Sequence, residues 1–217
     1  MAVQYRRLDL TAYPRREHFE YFHSMANPYV GLTVPVDITA FLTAVKTAKK
    51  PFFLSFLYCL GSAANAVPEL RRRILDGGII EVDTCDASYT VMQENGAYGY
   101  GRVAFGMPFD EYLATAIPQH ERAKAHATIE IDEDELSYLF VSSVPWLSYT
   151  ALQQPTPVPA DSNPRLTFGK YETENGRTRI PVTLLANHAL VDGLHIAQFY
   201  ANLDSCLSAV TQELSAQ

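Results

Sequence analysis

Basic charge, long apolar runs and paired cysteines are scarce in this sequence, and each shortage removes a class of function. Seventeen Lys and Arg face 24 Asp and Glu, for a net charge of −7 and a pI near 5.3. That balance argues against a nucleic-acid binder, whose affinity comes from neutralising phosphates. An anionic small molecule would need a local basic patch, for which Lys49, Lys50, Lys170 and Arg177 or Arg179 are available. No apolar stretch reaches the roughly 18–20 uncharged residues that span a bilayer. The richest, over 52–67, contains Gly61, Ser62 and Asn65 and reads as a buried helix. The first ten residues carry Arg6 and Arg7 with no apolar segment behind them, so no secretory signal is expected. The three cysteines, Cys59, Cys85 and Cys206, lie far apart and without metal-ligand spacing, which predicts reduced thiols in the cytoplasm. With no H-E-x-x-H run or compact Cys/His cluster, no metal is expected. Gly101 opens no G-x-G-x-x-G turn and there is no P-loop, so nucleotide folds lose support.

What is present is core-forming material: 47% hydrophobic and 12% aromatic residues in 217 positions, enough for one domain over 1–217. Pro14 precedes a helix that includes Arg15-Arg16-Glu17-His18-Phe19. Alternation predicts a strand over 29–36. Asp37 then caps a helix with apolar residues Ile38, Phe41, Leu42 and Val45 at three- and four-residue spacing. Further helices are expected over 52–67, 109–127 and 194–214. Strands are expected over 79–82, 88–93, 100–105, 136–143, 165–171 and 180–187, the last two joined by the turn Glu174-Asn175-Gly176. Late, hairpin-joined strands favour an α+β sandwich over a doubly wound parallel sheet.

One short run carries chemistry. Asn187-His188-Ala189-Leu190-Val191-Asp192-Gly193 follows a predicted strand and opens a predicted helix. Imidazole titrates near neutral pH and can both take a proton from a hydroxyl and return one to a leaving group. By itself, His-x-x-x-Asp-Gly reads more readily as a hydrogen-bonded histidine followed by a capping aspartate. His18 and His23 are five apart on one helix and read as surface or packing residues.

The flanking segments change that balance. Phe140-Val141-Ser142-Ser143-Val144-Pro145-Trp146-Leu147-Ser148-Tyr149, then Leu166-Thr167-Phe168-Gly169-Lys170-Tyr171, then the His188 run, resemble the chloramphenicol acetyltransferase family in order and spacing. Arg15 to Glu20, Asp37 to Leu42, and Asn65 to Arg71 fit the same pattern, so the resemblance covers almost the whole chain. It implies a two-layer α+β sandwich and a homotrimer with active sites between subunits. It also implies acetyl-CoA as co-substrate and a small-molecule hydroxyl acceptor, with chloramphenicol, and hence antibiotic resistance, first in line. By similarity His188 is the general base, Ser142 donates to the oxyanion and Thr167 supports it through ordered water. Asp192 would pair with Arg15 to brace the loop; a fully buried pair of this kind costs roughly 3–5 kcal/mol to break. Lys170, Tyr171, Lys49 and Lys50 would approach the nucleotide end of acetyl-CoA. Trp146 would face its pantetheine channel or fill the core.

Departures gather around the acceptor. Pro28 takes the place of a family cysteine, and the Tyr98-Gly99-Tyr100 neighbourhood that of a pocket phenylalanine. A proline-rich stretch from Leu152 to Pro159 replaces an asparagine-rich one. Asn187 stands where many members have a second histidine. Tyr21 and Phe22 remain as candidates for an apolar acceptor wall. These departures keep open a different small hydroxyl or amine acceptor. They also leave room for another acyl donor, or for a trimeric binding protein without catalysis.

Overall fold

A computed structural model describes residues 3–93, 96–126 and 135–216. Seven of its strands form a mixed sheet in the order β2 (Tyr29–Asp37), β10 (Arg177–Asn187), β8 (Arg165–Gly169), β7 (Tyr138–Val144), β5 (Asp86–Met92) and β6 (Tyr98–Val103), with β9 (Glu172–Glu174) pairing β10 off that path. β7 runs parallel to both β5 and β8, and the remaining pairs are antiparallel. A smaller sheet joins β1 (Tyr5–Arg7), β4 (Gly78–Val82) and β3 (Arg72–Leu75).

Successive side chains on a strand point to opposite faces, and in the large sheet the two faces differ in chemistry. One face carries Ala87, Tyr89, Val91, Leu139, Val141, Leu166, Phe168, Val182 and Leu184, all buried. It packs on α3 (Phe52–Asn65), where Phe53 and Phe56 meet the Phe168 ring at 5.9 and 5.1 Å. α2 (Thr39–Thr47) and α5 (Gly193–Ser215) complete the helical layer, and α4 (Phe109–His126) contacts β6. α1 (Arg16–His23) precedes β2. The α+β sandwich expected from the sequence is thus observed.

Several boundaries move. The strand expected over 165–171 stops at Gly169. A Cβ on Gly169 would lie 2.7 Å from the Leu147 carbonyl, so the segment that leaves β7 passes too close for a side chain there. Lys170 instead donates its N–H to Leu147 O, and pairing resumes at β9. Asn175, with φ 50°, and Gly176, with φ 76°, make the β9–β10 turn as expected. Asp37 accepts the Thr39 N–H at 2.9 Å, but Ile38 occupies the helix cap position itself. The expected helix over 109–127 runs through Pro118 to His126; Ala127 lies outside the described residues. Cys59 and Cys85 are buried, Cys206 is half-buried, and all three are free thiols.

Candidate active site

The second face of the large sheet is lined with polar and aromatic side chains and forms one wall of a cavity of about 600 Å³. Strand register arranges them in rows. Ser142 on β7 sits opposite Thr167 on β8, Thr167 opposite Thr183 on β10, and Thr183 opposite Thr33 on β2. Two residues along the strands, a second row reads Arg102, Ser88, Phe140, Arg165 across β6, β5, β7 and β8. A strand rises about 3.3 Å per residue, so the rows lie about 7 Å apart. Tyr98 and Tyr100 on β6 form the side of the cavity, their rings 6.1 Å apart. Leu152, Gln154 and Pro155 from the connection over 145–164 close it.

That connection holds Thr167 from above. The Tyr149 hydroxyl donates to the Thr167 carbonyl at 2.8 Å and receives the Thr183 hydroxyl at 3.3 Å. The Thr167 hydroxyl donates to Gln154 Oε1 at 3.4 Å. Gln154 Nε2 is enclosed and has no hydrogen-bond partner. Trp146 lines the cavity mouth and is 63% exposed, so it is not a core residue.

His188 lies elsewhere in the chain. It follows the last residue of β10, and its N–H donates to Pro28 O at 2.6 Å. The Phe22 ring stacks on the imidazole with centroids 3.8 Å apart and an 8° interplanar angle. Nδ1 is enclosed and unpartnered, whereas Nε2 is not enclosed in this way. None of His188, Phe22, Tyr21 or Pro28 lines the cavity that contains Ser142 and Thr167. The residues expected at one centre therefore form two groups: Ser142, Thr167, Tyr98, Tyr100 and Trp146 at the cavity, and His188 with Phe22 and Pro28 beyond it. Tyr21 is 63% exposed and meets only the edge of Phe22 among ring contacts.

The Arg15–Asp192 pair expected from the family pattern is formed. Arg15 NH1 and Asp192 Oδ2 are 2.8 Å apart. Asp192 Oδ1 also accepts the Leu194 N–H at 2.9 Å and caps α5. With side-chain exposures of 17% and 36%, the pair is only partly buried, so the cost reasoned for a fully buried pair does not apply. A further member is His195, which sequence reading weighed only as a metal partner of His188. Its Nδ1 accepts the Asp192 N–H at 3.0 Å and lies 3.0 Å from Arg15 NH1. Burial holds His195 below its ordinary pKa of 6.5. Glu69 and Asp192 oppose that shift, while Arg15 and Arg72 add to it. For Asp192, burial pushes the carboxyl up, but His195, Arg15 and two backbone N–H groups prevail and leave it below 3.8.

Of the lysines considered for the nucleotide end, Lys50 is paired with Asp110 at 2.8 Å. Lys49 is exposed with φ 54°. Lys170 is exposed and joined through its backbone to Leu147 beside Trp146. Tyr171 packs edge-on to Phe52 beneath the Lys46 ammonium. Ser88, Thr90, Met92, Arg102, Glu135 and Arg165 are cavity residues that the sequence reading passed over. A signal for one of them was available: Arg165 is two residues before Thr167 on the same strand and must share its face. Among the described residues there is no group of His, Cys, Asp or Glu suited to a metal ion, and no helix long and apolar enough to cross a membrane.

The profile of the family described as "Chloramphenicol acetyltransferase" matches residues 3–204. The chain belongs to the chloramphenicol acetyltransferase family. A chloramphenicol acetyltransferase from Klebsiella sp is 31% identical, with 92% of each chain covered. A solved chloramphenicol acetyltransferase shares the fold at a TM-score of 0.83 and 25% identity, over 94% of this chain and all of that one. The cubic core of a pyruvate dehydrogenase multienzyme complex shares it at 0.65 and 17% identity, with 89% and 86% covered. At that identity the last likeness concerns fold alone.

Proposed function

We propose that the protein is an acetyl-CoA-dependent O-acetyltransferase that acetylates a hydroxyl of a small molecule, chloramphenicol first, and so inactivates the antibiotic. The observation that carries the reading is the division of the site. The oxyanion donor Ser142 and its neighbour Thr167 line a ligand-sized cavity, while His188 presents an imidazole outside it. A homotrimer that sets His188 of one copy against the cavity of the next unites the two halves.

In that assembly His188 Nε2 removes the proton of the acceptor hydroxyl as its oxygen attacks the thioester carbonyl. The new C–O bond gives a tetrahedral oxyanion, toward which Ser142 donates; one such donor is worth about 3–4 kcal/mol. The C–S bond then breaks and the imidazolium returns its proton to the departing thiolate. Phe22, stacked on the ring, fixes its plane through the cycle. Thr167, whose own proton is directed to Gln154, presents lone pairs to water or acceptor. Trp146 lines the cavity where the acyl donor would enter, with exposed Lys170 bonded through its backbone to the neighbouring Leu147; Tyr171 with Lys46, and exposed Lys49, offer charge to its phosphates, whereas Asp110 competes for Lys50. Free thiols throughout fit the reducing cytoplasm.

Thiol release on mixing protein, acetyl-CoA and chloramphenicol tests the reading. Acceptor-dependent release is expected, and its survival in His188→Ala would refute the base. A second reading, with another small hydroxyl or amine acceptor, is favoured by Arg102, Glu135 and Arg165 on the cavity wall. An acceptor panel in the same assay separates the two. Binding without turnover by acetyl-CoA or longer acyl donors would instead support a trimeric binding protein.

A further inference from the structure

The connection over 145–164 has no helix or strand of its own, yet it must be held in place beside the His188 turn. Side chains hold it. Asp161 accepts both Arg165 terminal nitrogens, at 2.8 and 2.6 Å, a bidentate charge-assisted pair. The Tyr29 hydroxyl donates to Asp161 Oδ1 at 2.9 Å and accepts the Asp161 N–H at 3.0 Å. The Arg165 guanidinium lies between the Tyr29 and Phe140 rings, 5.8 and 5.4 Å from their centroids.

From this cluster two ties reach the base. Pro28, the residue before Tyr29, takes the His188 N–H on its carbonyl. On the other side, Asn187 Nδ2 donates to the Asp161 carbonyl at 2.8 Å, while its Oδ1 accepts the Ala189 N–H at 3.0 Å. The Asn187 carbonyl accepts from Leu190 and Val191, closing the turn on itself. Asn187 is buried, so its amide has no water to fall back on.

We infer that Asp161 is a positioning residue for the reaction, holding the His188 turn in register through Asn187 on one side and Tyr29 on the other. The inference rests on His188 being the base. Its chemistry is a closed hydrogen-bond circuit from Asp161 to Arg165 and Tyr29, through Pro28 to His188, and back through Asn187. Arg165 and Asn187 are buried, so losing a partner would leave either one unsatisfied. Burial, reinforced by Asp161, pushes the Tyr29 hydroxyl up to about 12, which keeps it a donor near neutral pH.

Asn187→Ala removes the tie to Asp161 together with the Ala189 cap of the turn, and Asn187 lines no part of the cavity. In the full-length protein, Asn187→Ala and Asp161→Ala are each expected to lower kcat about 10–100-fold, the scale of a misplaced base. Asn187→Ala should leave the KM for acetyl-CoA and for chloramphenicol within about twofold. The imidazole Hε1 NMR resonance of His188, assigned by its loss in His188→Ala, should shift in both. Asp161→Asn keeps one acceptor oxygen for Tyr29 and one Arg165 nitrogen but sets an amide N–H against the other, and should recover part of the activity lost in Asp161→Ala. Should Asp161→Ala fail to fold, Tyr29→Phe removes one hydroxyl of the circuit and should show a smaller loss with the same shift. An unmoved resonance in Asn187→Ala, a loss confined to KM, or an Asp161→Asn no better than alanine would overturn the inference. Turnover by His188→Ala would defeat the base assignment, while the resonance would still report whether Asp161 holds the turn.

Discussion

Asp192→Ala removes two separable interactions at the end of the His188 turn. The first is the cap on α5, an aspartate oxygen accepting the Leu194 N–H at 2.9 Å, worth about 1 kcal/mol. The second is the ion pair with Arg15 at 2.8 Å. Asp192 retains more than a third of its exposure, so solvent screens the pair and its share is about 1 kcal/mol at most. Together they amount to about 2 kcal/mol, or about 4–8 °C in Tm for a chain of this size. Asp192→Asn keeps an acceptor for the cap and loses only the charge, so it should fall about 2–4 °C. Calorimetry at one fixed protein concentration measures both, since assembly makes Tm concentration-dependent. Adding Arg15→Val completes a double-mutant cycle with a coupling of about 1 kcal/mol or less. Activity should fall about tenfold for Asp192→Ala, as the base loses its register. Full stability together with full kcat in Asp192→Ala would refute the brace. A loss in Asp192→Asn as large as that in Asp192→Ala would refute the share given to the cap.

Two further expectations concern the oxyanion and pH. Ser142→Ala should lower kcat about 10²–10³-fold, with the KM for acetyl-CoA little changed, because the hydrogen bond strengthens only as charge develops; steady-state kinetics on the folded variant would show it, and a wild-type kcat would count against the donor. Burial depresses His195, and it likewise depresses His120, where Lys124 adds to the effect. For each, the unfolded chain binds more protons just below the ordinary value of 6.5, so stability present above that value is lost as pH falls through it toward the folded pKa. Tm measured from pH 8 to 5 should decline below about 6.5, less steeply in His195→Gln and His120→Gln; an unchanged slope in the double variant would contradict the assignment.

Much of the fold was legible because it rests on local rules. The strand-forming runs of β2 and β10, the three-four spacing of α2 and α5, and the Asn175-Gly176 turn each follow from neighbours in sequence. Ends were less legible where a distant backbone intervenes: Gly169 stops β8 because Leu147 passes against it. Around the site, the Arg15–Asp192 pair was anticipated through a family pattern, while His195 between them was not. Its role depends on Glu69, Arg15 and Asp192 arriving from three elements.

The sequence by itself determined the helical and strand periods, the acidic charge balance and the family to which the chain belongs. Only the tertiary structure decided that Ser142 and Thr167 share a cavity that His188 of the same chain does not line. It alone tied Tyr29 to Asp161, 132 residues away, as the support of the turn carrying His188. The reason is physical. Periodicity records which face a residue takes within its own element, whereas strand register and a connection without regular structure are fixed by contacts between residues far apart in the chain.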